Sequence, residues 1–364
     1  MPLVAHSRLP TFERLRRDGQ PVLDADRALH QDIRELHIGF LNMMPDAALE
    51  ATERQFMRLI GASNRIAQFY VHPFTIEGVP REGEAKIHVD TYYEDFATLR
   101  RAGLDALIIT GANPVTDEIT DETFWDPLIE VLDWAHENVT STLCSCLASH
   151  AAFLHYHGIR RTPVRPKQWG VYSHRVIEPS HPLVADMNTR FDAPHSRLND
   201  VPRAHLEPAG IHVLVEGLEP GVLMAVSPDG LRFVYFQGHP EYDVVSLMKE
   251  FKRELGRYVT RDREDYPPYP DHYFSPGALE ILERFKIELL DAEQSGRTLP
   301  EFPEAMLLPE LDNTWTDTGK AIFNNWLGLV YQLTHQDRRK PFMEGIDPDD
   351  PLGMSAERIK RSIA

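Results

Sequence analysis

The sequence predicts an α/β protein built on a mostly parallel sheet flanked by helices. Between residues 33 and 146, short apolar runs alternate four times with segments whose apolar residues recur at helical spacing. The 364 residues, 42% hydrophobic and 26% charged, have the composition of a folded chain of two domains or one large one, which excludes extensive disorder.

Residues 1–32 are mixed polar and basic without a sustained period and read as an arm draped on a domain that spans 33–334. Leu36, Ile38, Phe40 and Leu41 make a buried strand that ends at Asn42-Met43-Met44-Pro45. Leu49, Phe56, Met57 and Ile60 share one face of a following helix, with Gly61 placed to stop it. A strand over 66–71, a helix over 92–101 and a strand over 104–109 closed by Thr110-Gly111 repeat the unit. Leu128, Val131, Leu132 and Ala135 mark the next helix, with Pro127 tolerated in its first turn. A strand over 139–143 then runs toward Cys146. Parallel βαβ units place active sites beyond the carboxyl ends of their strands.

After Gly158 the pattern loosens. Strands are expected over 211–215, 222–226 and 233–236, the last two joined by a turn at Ser227-Pro228-Asp229-Gly230. Helices are expected over 244–255, 278–292 and 319–333, and residues 335–364 read as a solvated extension.

The formal charge of −18 disfavours a nucleic-acid or anionic-membrane partner. No apolar run approaches the roughly 20 residues of a membrane span, and residues 1–20 are too polar for a signal peptide. The two cysteines, Cys144 and Cys146, are one residue apart and cannot form a disulfide framework; a reducing cytoplasm is the expected compartment. Cys-x-Cys alone is too little for a metal site, and the histidines show no zinc-ligand spacing with it, so no metal is expected.

The segment Thr142-Leu143-Cys144-Ser145-Cys146-Leu147-Ala148 carries a predicted strand straight into a predicted helix. A nucleophile elbow has that form, with small residues two positions either side of the nucleophile. The helix amino end would favour a thiolate. A buried, inert cysteine is the alternative. A base is needed, and His239 leaves the strand 233–236 at the same rim, with Glu241 two residues on to orient the imidazole. An ordinary surface turn around Pro240 is the alternative, and the segment alone favours it.

The segments LNMMP (41–45), DALIITGA (105–112), KQWGVYSHR (167–175), APHSR (193–197), QGHPEY (237–242) and Asn313-Thr314-Trp315 occur in this order. Together they resemble the homoserine O-acyltransferase family of methionine biosynthesis. The resemblance covers about residues 33–334. It implies a class I glutamine-amidotransferase-like (flavodoxin-like) fold with added strands and C-terminal helices, and acyl transfer from acyl-CoA to L-homoserine with no cofactor. By position it implies that Cys146 carries the acyl-thioester, His239 accepts the proton and Glu241 supports it. Lys167, Ser196 and Arg253 fall at substrate-contacting positions, and a homodimer is implied.

The acyl-selecting position falls on Val115 or, with a one-residue shift, Thr116. Neither is the Glu or Gly that family members use to select acetyl or succinyl, and a neutral residue permits succinyl without requiring it. Leu147-Ala148-Ser149-His150 departs from the family's Trp-Gly pair and later Gln, which leaves the backbone N–H of Leu147 as the expected oxyanion donor. A glutamine amidotransferase-like cysteine hydrolase and a non-catalytic binding module are the alternatives on the same fold.

Overall fold

A computed structural model describes residues 3–63 and 67–354. Among the described residues eleven strands form one sheet: β1 (Leu3–Ala5), β2 (Val22–Asp24), β3 (Glu35–Leu41), β4 (Gln68–Phe74), β5 (Ala106–Ile109), β6 (Ser141–Ser145), β7 (Thr162–Val176), β8 (Arg190–Asp200), β9 (His212–Gly217), β10 (Gly221–Val226) and β11 (Phe233–Phe236). Their order is β2-β1-β4-β3-β5-β6-β11-β10-β9-β7-β8. Pairings from β2 to β11 are parallel and those from β11 to β8 antiparallel, so the predicted parallel sheet is present with an antiparallel wing added.

The central strands read as unbroken apolar runs because helices cover both faces. In β5, Ala106 and Ile108 join a core with Phe56, Ile60, Phe323 and Trp326 from the helices Leu49–Ala62 and Thr316–Leu333. Their neighbours Leu107 and Ile109 face the other way, toward Leu128, Leu132 and Ala151 of the helices Trp125–Asn138 and Leu147–His157. A third apolar cluster seats the helices Ser246–Val259 and Pro276–Gln294 against Trp169 and Val171 of β7.

Several elements differ from the sequence expectation. The N-terminal segment is not a draped arm: β1 pairs with β4 and β2 with β1, and Leu3, Phe12 and Leu15 enter the main core. Three-residue strands are too short to show a period. Gly61 does not end its helix, which continues through Ala62 and packs there against Leu3 of β1. The helix expected over 92–101 is two, Gly83–Tyr92 and Phe96–Ala102; Asp95 caps the second by accepting from the Thr98 amide at 2.9 Å.

The β7–β8 pair was invisible because the first half of β7 carries Pro163 and Pro166 and is largely exposed. The C-terminal extension is packed as far as it is described: Arg338 bonds the Ala102 carbonyl, Pro341 accepts from Thr140, and Phe342 is buried beneath Arg232. Ile66 of the expected strand and residues 355–364 of the expected extension lie outside the described residues. Among the described residues no helix is long and apolar enough to cross a membrane.

Candidate active site

The parallel register brings two distant segments to one rim. Tyr235 pairs with Cys144 and Phe236 with Ser145, so the chain leaves β11 beside the point where it leaves β6. Cys146 is the next residue, and its amide donates to the Phe236 carbonyl at 2.7 Å. It has φ of +52° and ψ of −111°, a conformation that a side chain other than glycine rarely adopts. That backbone turns β6 directly into the helix Leu147–His157, as an elbow requires. Cys144, two residues back, is fully buried, and burial pushes its thiol up.

Cys146 and His239 share a side-chain hydrogen bond, and His239 Nδ1 lies 2.8 Å from Glu241 Oε1. Burial opposes a charged thiolate, but the bond and charge of His239 outweigh it, so the thiol is held below its ordinary value. Burial likewise opposes a charged His239, yet the Glu241 carboxylate and the Cys146 contact raise its pKa. Each charge stabilises the other, which favours the thiolate–imidazolium form of the pair.

Neighbouring residues fix this geometry. The His239 amide donates to the Pro194 carbonyl of β8 at 2.8 Å, and the Tyr242 ring stacks on the imidazole at 4.4 Å. At Gly238 a Cβ would lie 2.6 Å from Leu223 and 2.8 Å from the His195 ring, so only glycine passes. Gln237 bridges Val201 and His150, whose Nε2 lies 2.9 Å from Gln237 Oε1. Ser149 donates to the Cys144 and Phe236 carbonyls. The residues that depart from the family pattern after Cys146 thus brace the elbow. Trp315 Nε1 donates to the Tyr242 carbonyl at 2.8 Å, which gives the Asn313-Thr314-Trp315 segment its role.

Gly111 faces the nucleophile. A Cβ there would lie 3.3 Å from Cys146 Cβ and 3.7 Å from the Leu147 amide nitrogen, so glycine keeps the approach to that N–H open. Thr110 holds the loop by accepting from the Met43 amide and donating to the Gly111 carbonyl. The sequence placed Thr110-Gly111 at a strand end; that it borders the cysteine follows from β5 pairing with β6.

Lys167 and Ser196 converge on Glu250, a residue the sequence reading did not single out. Lys167 Nζ lies 3.3 Å and Ser196 Oγ 2.7 Å from Glu250 Oε2, while the Tyr242 hydroxyl donates to Oε1 at 2.9 Å. Burial would raise Glu250, but Lys167 and the two hydroxyls hold it below the usual carboxylate value. Tyr242 links this cluster to His239. Arg253 stands one turn beyond Glu250 on the helix Ser246–Val259, half exposed, with Glu254 3.8 Å away, and it does not join the cluster.

Val115 and Thr116 lie on a loop folded around Glu122. The two backbone amides donate to Glu122 Oε1 at 2.7 and 2.6 Å, and Thr116 Oγ1 donates to the same oxygen. The Val115 side chain is 91% exposed. Arg161, also unremarked in the sequence, reaches the Asp117 carbonyl of this loop at 3.4 Å and lies within electrostatic range of Cys146.

The family described as homoserine O-succinyltransferase matches residues 2–336. A homoserine O-succinyltransferase of Thiothrix nivea is 62% identical over 97% of this chain and 98% of its own length. That of Methylococcus capsulatus is 61% identical over 98% and 100%. Among solved structures, a glutamine amido transferase from Methylobacillus flagellatus aligns with a TM-score of 0.44 and 11% identity over 82% of this chain and 95% of that one. With the family's match extending over nearly the whole chain and relatives this similar at full length, the protein belongs to the homoserine O-succinyltransferase family.

Proposed function

We propose that the protein transfers a succinyl group from succinyl-CoA to the hydroxyl of L-homoserine in methionine biosynthesis, through an acyl-thioester on Cys146 and without a cofactor. The observation that carries this reading is the Cys146 elbow bonded to His239, itself oriented by Glu241.

The Cys146 thiolate attacks the thioester carbonyl, and the Leu147 N–H, left open by Gly111, faces the developing oxyanion. Collapse breaks the carbon–sulfur bond to CoA, whose thiolate takes the proton of the His239 imidazolium. The neutral imidazole then accepts the proton of the homoserine hydroxyl as oxygen attacks the acyl carbon. Expulsion of Cys146 restores the thiolate–imidazolium pair.

Homoserine must outcompete water, and its two charged ends supply the means. The anionic Glu250 cluster suits the ammonium group. Lys167 is already paired with Glu250, which leaves Arg253 for the carboxylate. Arg253→Ala is expected to raise the homoserine KM at least tenfold while acyl-enzyme formation stays near the wild-type rate; loss of the first half-reaction would contradict the assignment.

Arg161 supports succinyl as the donor group. Its guanidinium is partly buried, engages a loop carbonyl and lies within electrostatic range of the Cys146 sulfur, as a counter-charge for the distal succinyl carboxylate should. Arg161→Ala should lower kcat/KM for succinyl-CoA by about 10- to 100-fold, roughly the loss of one charge-assisted hydrogen bond, and change that for acetyl-CoA little. Equal losses with both donors would remove Arg161 from this role.

The reading as a whole is tested by products. Formation of O-succinylhomoserine from succinyl-CoA and homoserine, with no ammonia released from glutamine, supports it. Ammonia release without acyl transfer would replace it with a glutamine hydrolase.

A further inference from the structure

A cluster of imidazoles and a carboxylate lies on other strands than the catalytic cysteine, where β1, β3 and β4 run side by side. His6 follows β1, His72 sits in β4, His37 in β3, and Glu94 is bridged to the end of β4. One donor atom each from His6, His72 and Glu94 lies within 4.8 Å of the other two. We propose that His6, His72 and Glu94 form a binding site for a divalent transition metal of the zinc class.

The hydrogen bonds around the cluster are those of a ligand set with its supporting groups in place. His6 Nδ1 lies 3.2 Å from the Val4 carbonyl, which fixes the proton on Nδ1 and leaves a lone pair on Nε2. That Nε2 atom is buried and has no hydrogen-bond partner among the described residues. An orphaned imidazole nitrogen costs free energy unless something accepts its lone pair, and a metal ion does. His72 Nδ1 faces Glu94 Oε1 at 2.6 Å, while its Nε2 lies 2.9 Å from His37 Nδ1. His37 Nε2 in turn lies 3.4 Å from Glu35.

The chain Glu35–His37–His72 supplies the outer partner that a ligating histidine requires.

The donors need little movement. Metal–nitrogen and metal–oxygen bonds of about 2.0–2.1 Å at tetrahedral angles put ligand atoms about 3.4 Å apart. The His72–Glu94 contact must open by under about 1 Å, and no other pair has far to close. All three residues are only partly buried, so water can complete the coordination. Two imidazoles and one carboxylate suit zinc and its first-row neighbours better than calcium or magnesium. Arg338 contributes an opposing positive charge at Glu94 and His37. Separated by 66 and 22 positions along the chain, the ligands show no sequence motif, which is why no metal was expected.

The test uses the full chain with Cys146→Ser, so that the catalytic thiolate does not compete for metal. After treatment with chelator, zinc titrated by calorimetry should bind at one equivalent with a Kd of micromolar or below, and should raise the melting temperature. His6→Ala or Glu94→Gln should weaken that binding at least tenfold, and His37→Ala about tenfold through the outer contact. Glu94→Gln keeps the shape of a partly exposed side chain and so guards against a folding defect in the histidine variants. No stoichiometric binding, or binding unchanged in both His6→Ala and Glu94→Gln, would overturn the proposal.

Discussion

Cys146→Ser is expected to reduce turnover by at least about 10⁴-fold while leaving the fold intact, as judged by an unchanged melting temperature within a few degrees. The hydroxyl is nearly isosteric with the thiol and fits the positive-φ elbow as well, so packing is preserved. What is lost is ionisation. His239 and its Glu241 support draw a thiol below its usual value, but a serine hydroxyl starts far higher and stays protonated. Steady-state formation of O-succinylhomoserine measures the loss, and a variant retaining a tenth of wild-type activity would move the nucleophile elsewhere.

His239→Asn is expected to act on both half-reactions and to leave a signature in pH. In the wild type the thiolate is stabilised by His239, so iodoacetamide should label Cys146 well below the pH at which a free thiol reacts. The sign follows from the shifts. Lowering pH protonates the thiolate and slows labelling. The His239 pKa is raised, so the imidazolium persists through neutral pH and is lost only on the alkaline side. In the variant, burial and the Glu241 charge remain, and both raise the thiol. Labelling at pH 7 should fall at least tenfold and recover toward high pH, and turnover should fall about 10³-fold. A labelling profile identical to the wild type would separate the histidine from the cysteine.

The central β3–β6 units, the elbow and the β10–β11 hairpin were legible because each depends on local rules: apolar runs, helical spacing and turn residues. His239 could be placed on the cysteine's rim because it closes an apolar strand, and the parallel pairing of β11 with β6 sets the two side by side. What the sequence hid was contact between distant segments. Glu250 is one of two acidic residues on a charged helix; only the approach of Lys167 and Ser196 from β7 and β8 marks it. Gly111 reads as a strand terminator until β5 lies against β6. Lys167, matched by resemblance to a substrate-contacting position, is paired with Glu250, a contact no local pattern announces. The N-terminal strands were unreadable for the opposite reason, being too short to carry a period.

Intact-protein mass after brief mixing with succinyl-CoA, homoserine omitted, tests most directly whether the sulfur on the β6 elbow receives the acyl group. A stoichiometric succinyl adduct that maps to Cys146, is absent in Cys146→Ser and discharges on adding homoserine is the predicted result. Turnover without any adduct on the wild-type protein, under conditions where the ternary mixture yields product, would mean direct transfer and would contradict the account.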